Sequence, residues 1–339
     1  MKKSTFLAII IFVFSVIVNA QESNHMRIAF WNFENFFDPF VDSTKTYNEF
    51  TPDGIQHWTT SRFYKKRNNM YKSILAMSEN NPIAVLGICE VENEYVLTML
   101  FAKTPLQKHN YRFVHYESPD RRGIDCAIVY SKDKVKLLES KQIPLKNPND
   151  STYRSRDVIY AKFSDYHNDT IHVFVNHWPS RYGGEMETIP FRAMAANNVL
   201  RQVDSIVTNS TTMPKIFIMG DLNDCPTDPS VENVLNAKPL GSNTFLVNLI
   251  TNPNELGFDG TIKHNAEWNI FDQIIVSEPV VYDTIGLHYK MNSARIFAPE
   301  FMLLDDETYG GKKIFRTYIG PKYFGGFSDH LPVYIDLER

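Results

Sequence analysis

Gly220-Asp221-Leu222-Asn223 follows directly on the apolar run Ile216-Phe217-Ile218-Met219, and near the C-terminus Ser328-Asp329-His330 runs straight into Leu331-Pro332-Val333-Tyr334-Ile335. Each pattern places a carboxylate where a strand meets a loop. A carboxylate with an amide two residues on, and a second carboxylate beside an imidazole, are the groups that a metal-assisted attack of water on a phosphate uses. The opening expectation is therefore an enzyme.

Three more stretches repeat the pattern of an apolar strand delivering an acid, amide or imidazole at its end: Phe30-Trp31-Asn32, Gly87-Ile88-Cys89-Glu90 and Val175-Asn176-His177. In Phe271-Asp272 the acid stands at the other edge of its strand, ahead of Gln273-Ile274-Ile275-Val276-Ser277. Taken singly these residues are ordinary, since an Asn after a strand is a common turn residue and Glu90 suits the cap of a helix over Glu92 to Phe101. Strand ends of a layered α/β fold can converge on one cleft, and a buried cluster of this composition requires its acids to be paired or metal-bound.

The joint occurrence of these stretches, in this chain order, resembles the endonuclease/exonuclease/phosphatase superfamily, the deoxyribonuclease-I-like fold. The resemblance runs from Trp31-Asn32 to Ser328-Asp329-His330. Phe50-Thr51-Pro52 with His57-Trp58, Arg122-Gly123-Ile124-Asp125, and His177-Trp178-Pro179-Ser180-Arg181 with Gly183-Gly184 are further similar to a subgroup of exported bacterial members. It implies a four-layer α/β sandwich, two packed mixed β-sheets flanked by helices, with the site at one edge.

The same resemblance implies roles. Glu90 would hold a divalent ion with Asn32 and Asp329 close to the same position, and such oxygen ligands suit Mg²⁺, with Mn²⁺ or Ca²⁺ as substitutes. Asp221 would orient or deprotonate the attacking water, and Asn223 would hold that water or a phosphate oxygen. His330, kept in tautomer and charge by Asp272, would face the scissile phosphate, and His177 would donate to a second phosphate oxygen. Arg122 and Arg181 lie at loop edges where a guanidinium fork suits phosphate, as does Arg156, whereas Arg192 at an expected helix start is read as solvated. Asp125 is either a site contact or a paired structural acid. His57, His115, His167, His172 and His264 fall outside the pattern and read as surface or core histidines.

The elements that must position these groups are legible as short runs rich in Val, Ile, Phe and Tyr: Arg27 to Trp31, Ile83 to Ile88, Tyr111 to Tyr116, Ile124 to Tyr130, Val158 to Phe163, Thr170 to Asn176, Lys215 to Met219, Ile270 to Val276 and Leu331 to Leu337. Helical spacing appears over Arg62 to Ser78, where Phe63, Met70, Ile74 and Met77 share a face behind a Thr60 or Ser61 cap, and over Phe191 to Ile206 behind Pro190. The mixed order points to α and β elements layered over sheets with antiparallel pairs. With no repeat and no obvious linker, one domain is expected from Met26 to the end.

Lys2-Lys3, the apolar stretch from Phe6 to Val18 and Val18-Asn19-Ala20 have the three parts of a signal peptide cleaved after Ala20, leaving a periplasmic or secreted protein. The apolar stretch falls short of the roughly 20 residues a spanning helix needs, so a stable membrane anchor is not expected. Hydrophobic content of 43% supports a real core and excludes a disordered chain. A net charge of −4 gives no broad basic footprint, so phosphate contacts must be local. Cys89, Cys126 and Cys225 are too few for a disulfide scaffold; the first two read as buried hydrophobes, and a Cys89–Cys225 pairing is the less favoured alternative for the third.

Export, a divalent-ion site and loop arginines together favour a monomeric secreted nuclease acting on DNA or RNA. The alternative is a phosphoesterase for lipid or small substrates, sphingomyelinase-like or inositol-phosphate-phosphatase-like, for which the long loop from Tyr289 to Phe327 would be a lid or membrane-touching surface, although its aromatics are read first as packing the loop onto the domain. A catalytically silent scaffold predicts missing ligands, and every expected group is present.

Overall fold

A computed structural model describes residues 25–42, 47–79 and 81–339, so the expected leader over residues 1–20 lies outside the described residues. Each apolar run read as a strand from Arg27 onward holds a strand. In chain order the strands of the two large sheets are β1 (Met26–Phe36), β2 (Val85–Val91), β3 (Tyr111–His115), β4 (Asp125–Ser131), β5 (Val135–Ile143), β6 (Val158–Asp165), β7 (Thr170–His177), β8 (Lys215–Asp221), β9 (Ala237–Pro239), β10 (Leu246–Asn248), β11 (Asp272–Ser277), β12 (His288–Tyr289), β13 (Arg295–Ile296) and β14 (Val333–Glu338). The main helices are α1 (Thr60–Ser78), α2 (Glu94–Phe101) and α3 (Glu185–Asn209).

One seven-stranded sheet has the order β12-β14-β1-β2-β4-β3, with β13 also on β14; the other runs β5-β6-β7-β8-β11-β10-β9. Both are mixed. β1 pairs β2 in parallel across the α1 connection, and β7 pairs β8 in parallel across α3, while β14 and β11 join antiparallel.

The alternation along the strands makes the layers. In β8, Phe217 and Met219 enter the large core between the sheets, whereas Ile216 and Ile218 face outward into a second core with Ala195, Ala196, Val199 and Val203 of α3. Phe63, Met70, Ile74 and Met77 of α1 join the large core. Burial on both faces explains why these strands read as unbroken apolar runs rather than alternating ones. The sheets approach closely at Gly87, where an added Cβ would lie 2.6 Å from Met219 Sδ and 2.8 Å from Val175 Cγ2. The architecture is thus the expected sandwich of two mixed sheets flanked by helices.

Several boundaries differ from the sequence expectation. α1 is capped by Thr59, whose hydroxyl accepts from Arg62 N, and α2 starts at Glu94 behind Asn93, so Glu90 is not a cap. α3 begins at Glu185, and Pro190 lies inside it rather than opening it. Gly183 and Gly184, at φ +93° and +123°, supply the turn into that helix, a conformation that costs glycine little. β5 escaped notice because it is an edge strand whose Lys136, Glu139 and Lys141 carry the polar character edges favour.

The segment read as one long aromatic loop holds two hairpins, Leu303–Asp305 with Lys312–Ile314 and Tyr318–Ile319 with Lys322–Tyr323. Phe297, Phe315 and Tyr323 pack against the core and Tyr318 is buried, with Phe301 and Phe324 exposed. No helix among the described residues is long and apolar enough to cross a membrane. All three cysteines are free thiols, and Cys225 Sγ lies against Asn269 Oδ1 instead of Cys89.

Candidate active site

Two bulges aim the site. The β1–β2 register shifts between Asn32 and Phe36, and the β2–β4 register shifts between Cys89 and Val91. Within these irregular stretches Glu34, Asn35 and Glu90 adopt left-handed backbone, at φ 49°, 54° and 60°. Bulges re-aim side chains, and left-handed non-glycine residues persist only where surrounding contacts hold them. Here Asn35 N donates to Glu90 Oε2 at 2.8 Å and Glu34 N donates to Asn32 Oδ1 at 2.9 Å.

Asp221 is the hub. Its Oδ2 accepts from Asn32 Nδ2 at 3.0 Å and lies 3.6 Å from His177 Nε2 and 3.7 Å from His330 Nε2, while its Oδ1 accepts from Asn223 N at 3.0 Å. Glu90 Oε1 stands 3.5 Å from Asn32 Nδ2 and 3.8 Å from His177 Nε2. Behind His330, Asp272 Oδ2 holds Nδ1 at 2.7 Å, and Asp272 N donates to Thr261 Oγ1 at 3.1 Å. Asn223, itself at φ 51°, donates from Nδ2 to Trp178 O at 2.9 Å. The structure therefore brings Asn32, Glu90, His177, Asp221, Asn223, Asp272 and His330 together.

Burial sets their charge. Desolvation, with Asp272 adding, pushes Asp221 up to about 6 against the favourable His330. Burial opposes charge on His330 too, yet Asp272 and Asp221 outweigh it and raise its pKa well above the usual histidine value. His177 moves the other way: burial, then Arg156, Arg122 and His330, hold it well below that value, so it is neutral. Its Nδ1 finds no hydrogen-bond partner among the described residues.

Asp329 behaves differently from its neighbour. Its Oδ2 is 2.7 Å from Arg316 Nη2, and although burial disfavours its charge, Arg316 holds its pKa below the usual carboxylate value. Arg316 Nε also reaches Glu34 Oε1 at 3.4 Å, and the buried Lys66 Nζ lies 3.7 Å from Glu34 Oε2. Glu34, Lys66 and Arg316 escaped the sequence reading. Glu34 had a signal, since it stands two residues beyond Asn32 on the same strand; the other two had none.

The arginines divide. Arg122, with its side chain 37% exposed, pairs only loosely with Asp120 at 3.8 Å, while Arg156 is buried with Nη2 donating to Trp178 O at 2.6 Å. Arg181 is engaged throughout: Nε donates to Asn223 O at 2.9 Å, Nη1 to Glu185 at 2.7 Å, and Nη2 to Asp224 and Asp228 at 3.2 and 2.6 Å. Arg192 corrects the solvated expectation. Arg192 shares the inward face of α3 with Ala195, Ala196 and Val199, fully buried with Nε 2.6 Å from Asp224 Oδ1. Asp125 is a paired acid, with Oδ2 3.2 Å from His115 Nε2 and Oδ1 accepting from Ser118 N at 2.8 Å.

The donor set fits a divalent ion at Glu90. Among the described residues Glu90 has no ion pair with a lysine or arginine, its nearest basic group being the neutral His177 at 3.8 Å, and it faces Asp221 across one amide. His330 offsets the charge of Asp221 but makes no contact of that kind with Glu90, and a carboxylate in a largely buried site without a cationic partner is costly, whereas hard oxygen donors suit a divalent cation. A second acidic group, His115, Glu117 and Asp125, brings donor atoms within 4.8 Å of one another, but His115 and Asp125 are already paired there.

The model of the Endonuclease/Exonuclease/phosphatase family matches residues 27–339, and the chain belongs to that family. No curated protein sequence matches. Solved structures share the fold: a humanized zebrafish (D. rerio) TDP2 at 17% identity covers 94% of this chain and 100% of its own, with TM-score 0.55. A mannosyl-6-phosphatase of Bacteroides thetaiotaomicron has 15% identity, 93% and 100% coverage and TM-score 0.56. ANGEL2, a 2',3'-cyclic phosphatase, has 15% identity, 92% and 95% coverage and TM-score 0.58. The family places the chain among phosphoester hydrolases, a class that generally uses divalent metals.

Proposed function

We propose that the protein hydrolyses phosphoesters with a divalent ion, and the observation that carries this is Asp221 Oδ2 facing Asn32, His177 and His330 at once, with Asp272 behind His330. Mg²⁺, with Mn²⁺ or Ca²⁺ as substitutes, would be held by Glu90 with Asn32 and Asp329, and would supply Lewis-acid polarisation of the phosphate. Asp221, ionised at neutral pH, accepts the proton of the attacking water, and the Asn223 backbone N–H fixes its other oxygen. His330, cationic against Asp272, donates from Nε2 to a phosphate oxygen and offsets the charge that grows there in the transition state. His177, neutral, donates to a second oxygen, and the half-exposed Arg122 meets the phosphate from the rim. Arg181 we assign to holding the Asp221–Asn223 loop in place of the phosphate role that its sequence position suggested.

Two substrate classes fit this chemistry. Export suits an extracytoplasmic nuclease, and the zebrafish TDP2 neighbour has been solved with a single strand DNA product, at TM-score 0.51 and 17% identity. Compact phosphoesters are favoured by a specific feature, a cavity of about 460 Å³ bounded by Arg316 and Asp329. A panel of plasmid DNA, RNA, sphingomyelin, inositol phosphates and sugar phosphates, run with Mg²⁺ and with chelator, tests the proposal. Metal-dependent turnover of at least one ester is expected, and inertness toward all of them contradicts it.

A further inference from the structure

Two short hairpins stand clear of both large sheets beside His330. The first, Ile262–His264 with Glu267–Asn269, is rooted in the site: Ile262 bridges to His330, Leu331 N donates to Thr261 O at 2.8 Å, and Thr261 Oγ1 accepts from Asp272 N. The second is Leu303–Asp305 with Lys312–Ile314. Lys263 staples them, donating from Nζ to Asp306 Oδ2 at 2.7 Å, Lys312 O at 3.0 Å and Gly310 O at 3.4 Å. Tyr309 OH adds a second staple to Asn265 Oδ1 at 3.2 Å. Asp306 Oδ1 in turn accepts from Thr308 N and Tyr309 N at 3.1 and 3.2 Å, which fixes the tip of the second hairpin.

Between them lies the cavity of about 460 Å³, lined by Ile314, Ile319, Lys313 and Tyr309 together with Arg316 and Asp329, the residue next to His330 in the chain. That size is at the low end for small-molecule sites, which range over about 300–1,000 Å³. Its walls mix two apolar side chains with the Asn265 amide, the Tyr309 hydroxyl and the half-exposed Lys313, whose Nζ stands 4.0 Å from Asp306. Apolar faces with convergent polar groups suit one hydroxylated ring. A strand of nucleic acid instead asks for a run of free cations along its backbone, whereas Lys263 and Arg316 on this wall are paired with Asp306 and Asp329.

We propose that this pocket selects substrate by taking the hydroxylated ring of a compact phosphomonoester, a sugar phosphate or a nucleoside monophosphate, while the phosphate lies at Asp221 and His330. The inference rests on the phosphoesterase reading above. The ring stacks an apolar face on Ile314 and Ile319, and its hydroxyls bond Lys313, Tyr309 and Asn265.

The test compares the protein with Ile319→Trp, which fills the pocket from an exposed position, and Lys313→Glu. Substrates are a hexose 6-phosphate, AMP, methyl phosphate and a short single-stranded oligonucleotide. Each variant is expected to raise KM for the hexose phosphate or AMP about tenfold and to leave methyl phosphate turnover unchanged. Whichever ring ester loses more identifies the ring. No effect on either ring ester, an equal loss with methyl phosphate, or an oligonucleotide kcat/KM above both monophosphates overturns the proposal. If the parent protein turns over no ester, the phosphoesterase reading fails and calorimetric binding of the hexose phosphate and AMP decides the pocket alone. Binding weakened about tenfold by Ile319→Trp supports it, and unchanged or undetectable binding overturns it.

Discussion

His330 Nδ1 and Asp272 Oδ2, 2.7 Å apart, join the two halves of the sandwich: Asp272 opens β11 in one sheet, and His330 precedes β14 in the other. An acid–base pair shared between sheets keeps its geometry only while the sheets stay packed. Asp272→Asn keeps the shape and removes the charge that raises the His330 pKa, so kcat is expected to fall by about 10²–10⁴-fold, with KM changing far less. Steady-state kinetics on p-nitrophenyl phosphate check this, and an unchanged kcat would remove Asp272 from the account.

Arg181 separates two roles by kinetics. As the clamp on Asn223 O, Asp224 and Asp228, its replacement by Met should lower stability to urea by about 1–3 kcal/mol and reduce kcat. Inhibition by inorganic phosphate should keep its strength. A Ki raised tenfold with stability intact would return Arg181 to the phosphate.

Lys66 carries a charge that the fold cannot easily hold alone. Burial lowers its pKa to about 8 despite Glu34, and it donates to Thr317 Oγ1 and Phe327 O at 2.5 and 3.2 Å. Lys66→Met leaves the buried Glu34 carboxylate short of a partner and should cost about 3–5 kcal/mol in urea unfolding. Adding Glu34→Gln should recover part of that loss; a double variant as unstable as the sum of the singles would show the two do not interact.

His172 predicts an acid limit. It is buried with Nδ1 2.9 Å from Tyr160 OH, and burial, with Lys162 adding, pushes its pKa down to about 4 from 6.5. The unfolded chain therefore takes up a proton below pH 6.5 that the folded chain refuses, so its contribution to stability is complete above 6.5 and drains away as pH falls to about 4. Thermal melts should show a smaller loss between neutral and mildly acid pH in His172→Gln than in the parent. Identical slopes would dismiss the effect.

The sequence legibility of this molecule follows from burial on both sheet faces. Runs such as Ile216-Phe217-Ile218-Met219 are apolar throughout because both faces are covered, and the polar residues at their ends stand out. Asp221, Asp272 and His330 were readable for that reason. Lys66 and Arg316 were not, because their place depends on a helix face and a hairpin meeting Glu34, which no local pattern records. The early start of α3 was hidden by Pro190, a residue that ordinarily opens helices, and the burial of Arg192 depends on Asp224 standing opposite it, which no local pattern records.

The central claim is that Asp221 activates water at a metal-dependent site. Hydrolysis of p-nitrophenyl phosphate and bis-p-nitrophenyl phosphate by the parent protein and by Asp221→Asn, with Mg²⁺ and with chelator, tests it most directly. The account predicts turnover of at least one ester that chelator abolishes and Mg²⁺ restores, and a loss of about 10²–10⁴-fold in the variant, which folds as the parent does. Turnover indifferent to chelator, or an Asp221→Asn protein as active as the parent, would contradict it.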